Sequence, residues 1–284
     1  MNLGLLYSRI REDEKLLLTE LRARGHEVTK IDVREPTFSI GDPLPALAEV
    51  DIGFNRCVES SRVRYVSELL EHYDVPVVNS PHTSRVCADK VRGSVALEEA
   101  GVPTPRTDIA FDVESALETV ERLGYPCVVK PVTGSWGRLI AKLDTREAAE
   151  GILEHKATLG GYEHKVFYLQ EYVAKPDRDI RVLAADGEPI AAMTRSSGHW
   201  ITNVAKGGTA EAFDVDDEVA DLVRRSSAAV GGGLLGVDLM EAPEGYTVHE
   251  VNSTCEWKGL NAAVPDVDVP AGIVDWLEGR AAAA

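Results

Sequence analysis

Positive charge is what this 284-residue chain has least of, with 30 lysines and arginines against 47 aspartates and glutamates and a formal charge of −17. A surface so acidic excludes nonspecific nucleic-acid binding, which depends on cations releasing the counterions of the phosphates. Lysine is the scarcer cation, ten against twenty arginines. Acidic excess with little lysine fits a salt-loaded cytoplasm, where short screening lengths tolerate self-repulsion, so a halophilic source is expected. No apolar run reaches the length of about 18 residues that a membrane-spanning helix needs. The opening Met1-Asn2-Leu3-Gly4 lacks the basic and apolar regions of a secretory leader, and a cytoplasmic location is expected. The four cysteines, Cys57, Cys87, Cys127 and Cys255, form no CxxC pair and read as free thiols rather than a zinc site or disulfides. The seven histidines show no metal spacing. His249 alternates with Glu250, which sends it to the opposite face of its strand in a structural role. No dinucleotide fingerprint, Walker A loop or internal repeat is present.

The length favours two or three lobes. In the first eighty residues, strands at 3–7, 28–33, 52–54 and 75–78 alternate with helices at 12–24 and 63–72, implying a mostly parallel sheet. A single helix is expected over Ser84 to Ala100, stopped by Gly101 and Pro103-Thr104-Pro105. Further helices at 115–123, 146–155 and 218–230 alternate with strands at 127–129, 167–170, 180–184 and 190–195. Gly231-Gly232-Gly233 reads as a close-packed helix end, and Ala281 to Ala284 as a frayed tail.

Three constellations carry chemistry. Residues 235–240 and 246–252 form a hairpin around the turn Pro243-Glu244-Gly245. A hairpin centred near Glu244 sets Asp238 opposite Glu250, with Asn252 on the same face as Glu250. Facing carboxylates repel unless neutralised, and two carboxylates with an amide oxygen suit Mg²⁺. In a different register one acid would face solvent instead. Secondly, Val128-Val129-Lys130 delivers a lysine beside Gly134-Ser135-Trp136-Gly137-Arg138, whose glycines let backbone N–H groups approach phosphate. Taken alone, such a loop is more often an ordinary hairpin turn, and its position after a buried lysine is what favours the phosphate reading. Thirdly, Leu169-Gln170-Glu171-Tyr172-Val173 precedes Asp179 and Arg181, which share a strand face, followed by Arg195, Asn203 and Lys206. Arginine forks grip carboxylates or phosphates, though each of these residues could also serve a surface ion pair.

In this order the segments resemble the ATP-grasp superfamily, and within it the LysX/ArgX (RimK-like) carrier-protein ligases, over nearly the whole chain. The resemblance implies an α/β ATP-grasp fold behind an N-terminal pre-ATP-grasp, Rossmann-like domain. The division is expected at 1–82 and 83–280, with a small central lobe about 104–170 and a C-terminal lobe about 171–280. It implies ATP and Mg²⁺ as cofactors. Lys90 and Lys130 would contact the phosphates, and Gly134, Ser135, Trp136, Gly137 and Arg138 would close over them. Glu171, Tyr172 and Val173 would form the adenine hinge, with Asp179 near the ribose. Arg195 and Asn203 would meet phosphate and the forming intermediate, Arg195 and Lys130 acting in catalysis. Asp238, Glu250 and Asn252 match the magnesium ligands. Arg181, Asn203, Val204, Thr254, Glu256, Lys258, Gly259 and Leu260 would lie on the substrate side.

Asn252-Ser253-Thr254-Cys255-Glu256-Trp257-Lys258 looks like the carrier-protein ligases rather than the ribosomal-protein glutamate ligases. The following Gly259-Leu260 is similar to the Gly-Phe of glutamate-using members, which points to glutamate over 2-aminoadipate. The implied partner is a LysW-like small acidic carrier ending in glutamate, the implied assembly a homo-oligomer. Ligases acting on ribosomal protein or on small free amino acids, and a non-catalytic nucleotide-binding protein, are the competing classes.

Overall fold

In the computed structural model, the described residues are 1–134, 139–161, 165–200 and 208–283. Strands β1 (Asn2–Tyr7), β2 (Glu27–Asp32), β3 (Ile52–Asn55) and β4 (Val77–Val78) form a parallel sheet in the order β2-β1-β3-β4. Helix α1 (Glu12–Ala23) covers one face with Leu17 and Leu21, and α2 (Ser60–His72) covers the other with Val63, Val66 and Leu70.

The helix expected over 84–100 is two helices, α3 (Pro81–Cys87) and α4 (Lys90–Glu99). Asp89 causes the break. Its carboxylate accepts from the N–H groups of Val91 and Arg92, capping α4 while Asp89 itself is extended. The Lys90 N–H donates to the Val132 carbonyl, which fixes the start of α4 beside the glycine-rich loop.

A small lobe follows. Its sheet, ordered β5-β8-β6-β7, is built from β5 (Thr107–Ala110), β6 (Cys127–Lys130), β7 (Ala141–Leu143) and β8 (Phe167–Glu171). Helices α5 (Val113–Leu123) and α6 (Arg146–Leu159) bury Ala116, Val120, Ala149 and Leu153 on it. The five-stranded sheet β11-β10-β9-β12-β13 is antiparallel, from β9 (Arg178–Ala185), β10 (Glu188–Ser196), β11 (Thr209–Ala212), β12 (Leu234–Ala242) and β13 (Gly245–Asn252). Helix α7 (Asp217–Val230) packs on one face and ends at Gly231, whose φ of +98° suits glycine at a helix end.

The other face of that sheet packs, through α8 (Lys258–Ala263) and α9 (Val269–Ala283), against the N-terminal unit in one continuous core. Helix α9 corrects the expectation of a frayed tail. It is apolar on several sides and carries no amphipathic stripe, so its burial is decided by what surrounds it. All four cysteines are free thiols. No helix among the described residues is long and apolar enough to cross a membrane.

Candidate active site

Strand periodicity builds the site. On β9, Ile180, Val182 and Ala184 enter the α7-side core, which turns Asp179 and Arg181 to the opposite face. On β12, Leu235, Val237 and Leu239 do the same and turn Asp238 to that face, where Arg195 of β10 also lies. These side chains meet in a cavity of about 780 Å³ whose lining also includes Lys130 from the small lobe.

Asp238 and Glu250 are directly opposed in the β12–β13 ladder, as the hairpin argument requires, and Asn252 lines the same cavity. The Asn252 side-chain amide donates to Asp238 Oδ2 at 3.4 Å. Beyond Asp238 the register slips, with Leu239 opposite Val248, so His249 is the extra residue of a β-bulge. The bulge corrects the expectation for His249. Instead of facing away, its ring lines the cavity, with Nε2 3.2 Å from Lys130 Nζ. Burial, and then the neighbouring Lys130, hold the imidazole well below its usual range.

Protein cations neutralise the facing carboxylates. Arg181 donates to Asp238 through Nε and a terminal nitrogen, both at 2.7 Å, and Arg195 stands 3.3 Å from the same carboxylate. Burial alone would favour protonated Asp238, but Arg181 and Arg195 outweigh it and hold the group well below the usual carboxylate range. Arg195 is itself held by Asp179 at 2.6 Å. Lys90 Nζ lies 3.3 Å from Glu250 and donates to the Gly134 carbonyl at 3.0 Å. Lys130 ends β6, is 3% exposed, and donates to Gln170 Oε1 at 2.5 Å. Burial, opposed by Glu250 and assisted by Lys90, lowers its ammonium to about 7.

Tyr172 and Val173 line the cavity, whereas the Glu171 carboxylate turns away to accept from the Arg106 N–H at 2.8 Å. Thr254, Glu256, Lys258 and Gly259 also line it. Leu260 does not: at 1% exposure it belongs to the core shared with the N-terminal unit, and the helical turn of α8 that presents Gly259 carries it inward. Ser135, Trp136, Gly137, Arg138, Asn203, Val204 and Lys206 lie outside the described residues. Sequence reasoning missed Arg11, which reaches the cavity wall from the N-terminal unit; being 245 positions from Glu256, its partner, it gave no local signal.

A cavity between two sheets, lined by Lys130, Lys175, Arg181, Arg195 and the facing carboxylates of Asp238 and Glu250, suits a nucleotide triphosphate. The family model for the RimK-like ATP-grasp domain matches residues 87–277, and that for the LysX preATP-grasp domain matches 3–86. The chain belongs to the RimK-like ATP-grasp family.

It is thus an ATP-dependent ligase. It is similar to the alpha-aminoadipate–LysW ligase LysX of Sulfurisphaera tokodaii, 34% identical over 91% of this chain and 92% of that protein. The glutamate–LysW ligase ArgX of the same organism is 32% identical over 98% of each chain. A RimK-domain ATP-grasp protein of Sphaerobacter thermophilus superposes with a TM-score of 0.81 at 26% identity, covering 97% of this chain and 99% of that one.

Proposed function

We propose that this ligase activates the terminal carboxylate of a LysW-type carrier protein as an acyl phosphate and couples it to the α-amine of glutamate, an arginine-biosynthetic reaction. The observation carrying the reading is the convergence of Lys130, Arg195, Asp238, Glu250, Thr254, Glu256, Lys258 and Gly259 on one cavity, with Lys90 held against Glu250 and Gly134 at its wall, in a chain similar end to end to LysW ligases. Residues up to about 82 would form the N-terminal domain and the remainder the ATP-grasp domain.

In this reading Lys130, Lys90 and Arg195 bear on the transferring phosphoryl group, whose negative charge they stabilise. The carrier carboxylate attacks the γ-phosphorus and ADP leaves. The amine of glutamate then attacks the acyl carbon and phosphate leaves. A closed cleft keeps water from the acyl phosphate. Among the described residues no three His, Cys, Asp or Glu side chains are grouped to hold a metal. Asp238 and Glu250 with the amide of Asn252 nevertheless supply three hard oxygen donors to one cavity, which fits Mg²⁺. Those three residues would hold the ion, which when bound supplies further charge neutralisation at the phosphates.

2-Aminoadipate is the second reading, favoured by the similarity to LysX. One methylene separates the two substrates, worth only about 1–3 kcal/mol in a pocket. With Leu260 in the core, Gly259 is left as the cavity-facing member of the pair that resembles the glutamate-using ligases. Purified enzyme incubated with carrier, ATP and either amino acid tests this: glutamate should be added to the carrier, read by mass, with the higher kcat/KM. A preference for 2-aminoadipate would overturn the choice of substrate, and phosphate release without any carrier would overturn the choice of acceptor.

A further inference from the structure

Parallel α/β sheets hold ligands outside the carboxyl ends of their strands, where neighbouring strands connect in opposite directions. In the order β2-β1-β3-β4 that point lies between β1 and β3. Here the edge is filled by the chain itself, by the segment after β13 that bears the proposed substrate residues. Asn79, following β4, donates to the Ser253 carbonyl at 2.7 Å. Arg56, following β3, donates to the Cys255 carbonyl at 3.1 Å. Arg11, after β1, reaches Glu256 at 2.9 Å. Asp13 Oδ1 accepts from the backbone N–H groups of Trp257 at 3.2 Å and Lys258 at 2.6 Å.

The grip is buried and charged. The Trp257 ring lies parallel to Phe54, with centroids 6.5 Å apart, and the Arg56 guanidinium sits 4.2 Å from its centroid. Glu14 holds Arg56 at 2.9 Å, and the Asp13 carboxylate stands 3.7 Å away. Asp13, Glu14, Arg56 and Trp257 are all 2% exposed or less. A network serving only cohesion between lobes would gain as much from well-packed apolar side chains. What ions and backbone acceptors add is a fixed geometry, and the backbone they fix runs straight into Lys258 and Gly259 on the cavity wall.

We propose that Asp13 and Arg56 are positioning residues for the amino-acid substrate, holding residues 255–258 so that Lys258 and Gly259 present the binding surface. The inference rests on the assignment of that wall to the amino acid. Neither side chain touches the cavity; both act through the backbone they hold.

The test compares Asp13→Ala, Asp13→Asn and Arg56→Lys with the wild type. Asp13→Ala removes the acceptor for two N–H groups, and a shift of the wall by a fraction of an ångström is expected to raise KM for the amino acid about tenfold or more while KM for ATP stays within about twofold. Asp13→Asn keeps an oxygen in place and should recover most of the loss. Arg56→Lys keeps the charge but not the flat fork, and should resemble Asp13→Ala. Hydrogen exchange at the amides of Trp257 and Lys258 should accelerate in Asp13→Ala while β12 amides do not change.

Equal rises in both KM values, an Asp13→Asn variant as impaired as Asp13→Ala, or unchanged exchange at 257–258 would overturn the inference. Wild-type product formation in the same assay judges the proposed function separately. Should the wild type join no amino acid to the carrier, the exchange measurement alone decides whether Asp13 positions the segment.

Discussion

Replacing Arg181 with methionine removes the two-pronged partner of Asp238 while keeping most of the stem volume. The pair is largely buried, with side-chain exposures of 19% and 10%, and both hydrogen bonds are 2.7 Å. Breaking a buried ion pair from one side costs about 3–5 kcal/mol, most of it the penalty of a stranded charge. Arg195 remains 3.3 Å from the carboxylate, which places this variant near the lower end, about 3 kcal/mol. At roughly 2–4 °C per kcal/mol for a domain of this size, the melting temperature should fall by about 6–12 °C. Adding Asp238→Asn removes the stranded charge, so the double variant should lose less than the sum of the single losses, by about 1–3 kcal/mol. Calorimetric melts of the four proteins without nucleotide give that cycle. Repeating them with Mg²⁺ and ADP should narrow the Arg181→Met deficit, because the divalent ion proposed to sit beside Asp238 would restore the missing positive charge. A loss under about 2 °C, or strict additivity, would refute the claim that Arg181 is what permits Asp238 to stay ionised in the sheet.

Lys130→Met should lower ATP turnover about a hundredfold or more, as expected when a donor to transition-state charge is lost. Because burial already strains its ammonium toward about 7, the same variant should melt no lower than wild type, and a clear loss of stability would contradict the assigned burden. Asp186, in the β9–β10 turn, accepts from the Trp276 ring nitrogen and two Arg280 nitrogens. Burial favours its protonated form, but the contacts with Arg280 and Trp276 prevail and depress the carboxyl below its ordinary value. A depressed carboxyl contributes stability above its unfolded pKa of about 3.9 and loses it as pH falls through the folded value. The deficit of Asp186→Asn in melting temperature should therefore be full at neutral pH and shrink in acid; a gap independent of pH would refute it.

Local chemistry reached far into this site. A hairpin centred near Glu244 opposes Asp238 and Glu250, and they are opposed, but the turn pairs Ala242 with Gly245, a register that alone would set Asp238 opposite His249; the bulge supplies the missing step. A two-residue period misplaced His249, since one bulged residue reverses the parity of everything before it and leaves no mark on an alternating sequence. Likewise, helical periodicity ran through Ala88 and Asp89, although an aspartate that caps a new helix competes with continuing the old one.

Composition and periodicity determined the α/β elements, the strands that carry charge, Lys130 and the facing carboxylates, because each of these depends on residues near one another in the chain, while the resemblance supplied Lys90 and the ATP-grasp fold. Tertiary structure alone decided how the charges are matched. Arg181 and Arg195 meet Asp238, Lys90 meets Glu250, and Asp13 and Arg56 hold the backbone around Trp257 from more than 190 positions away. Pairings of that span are set by how the lobes pack, and a local pattern holds no information about them.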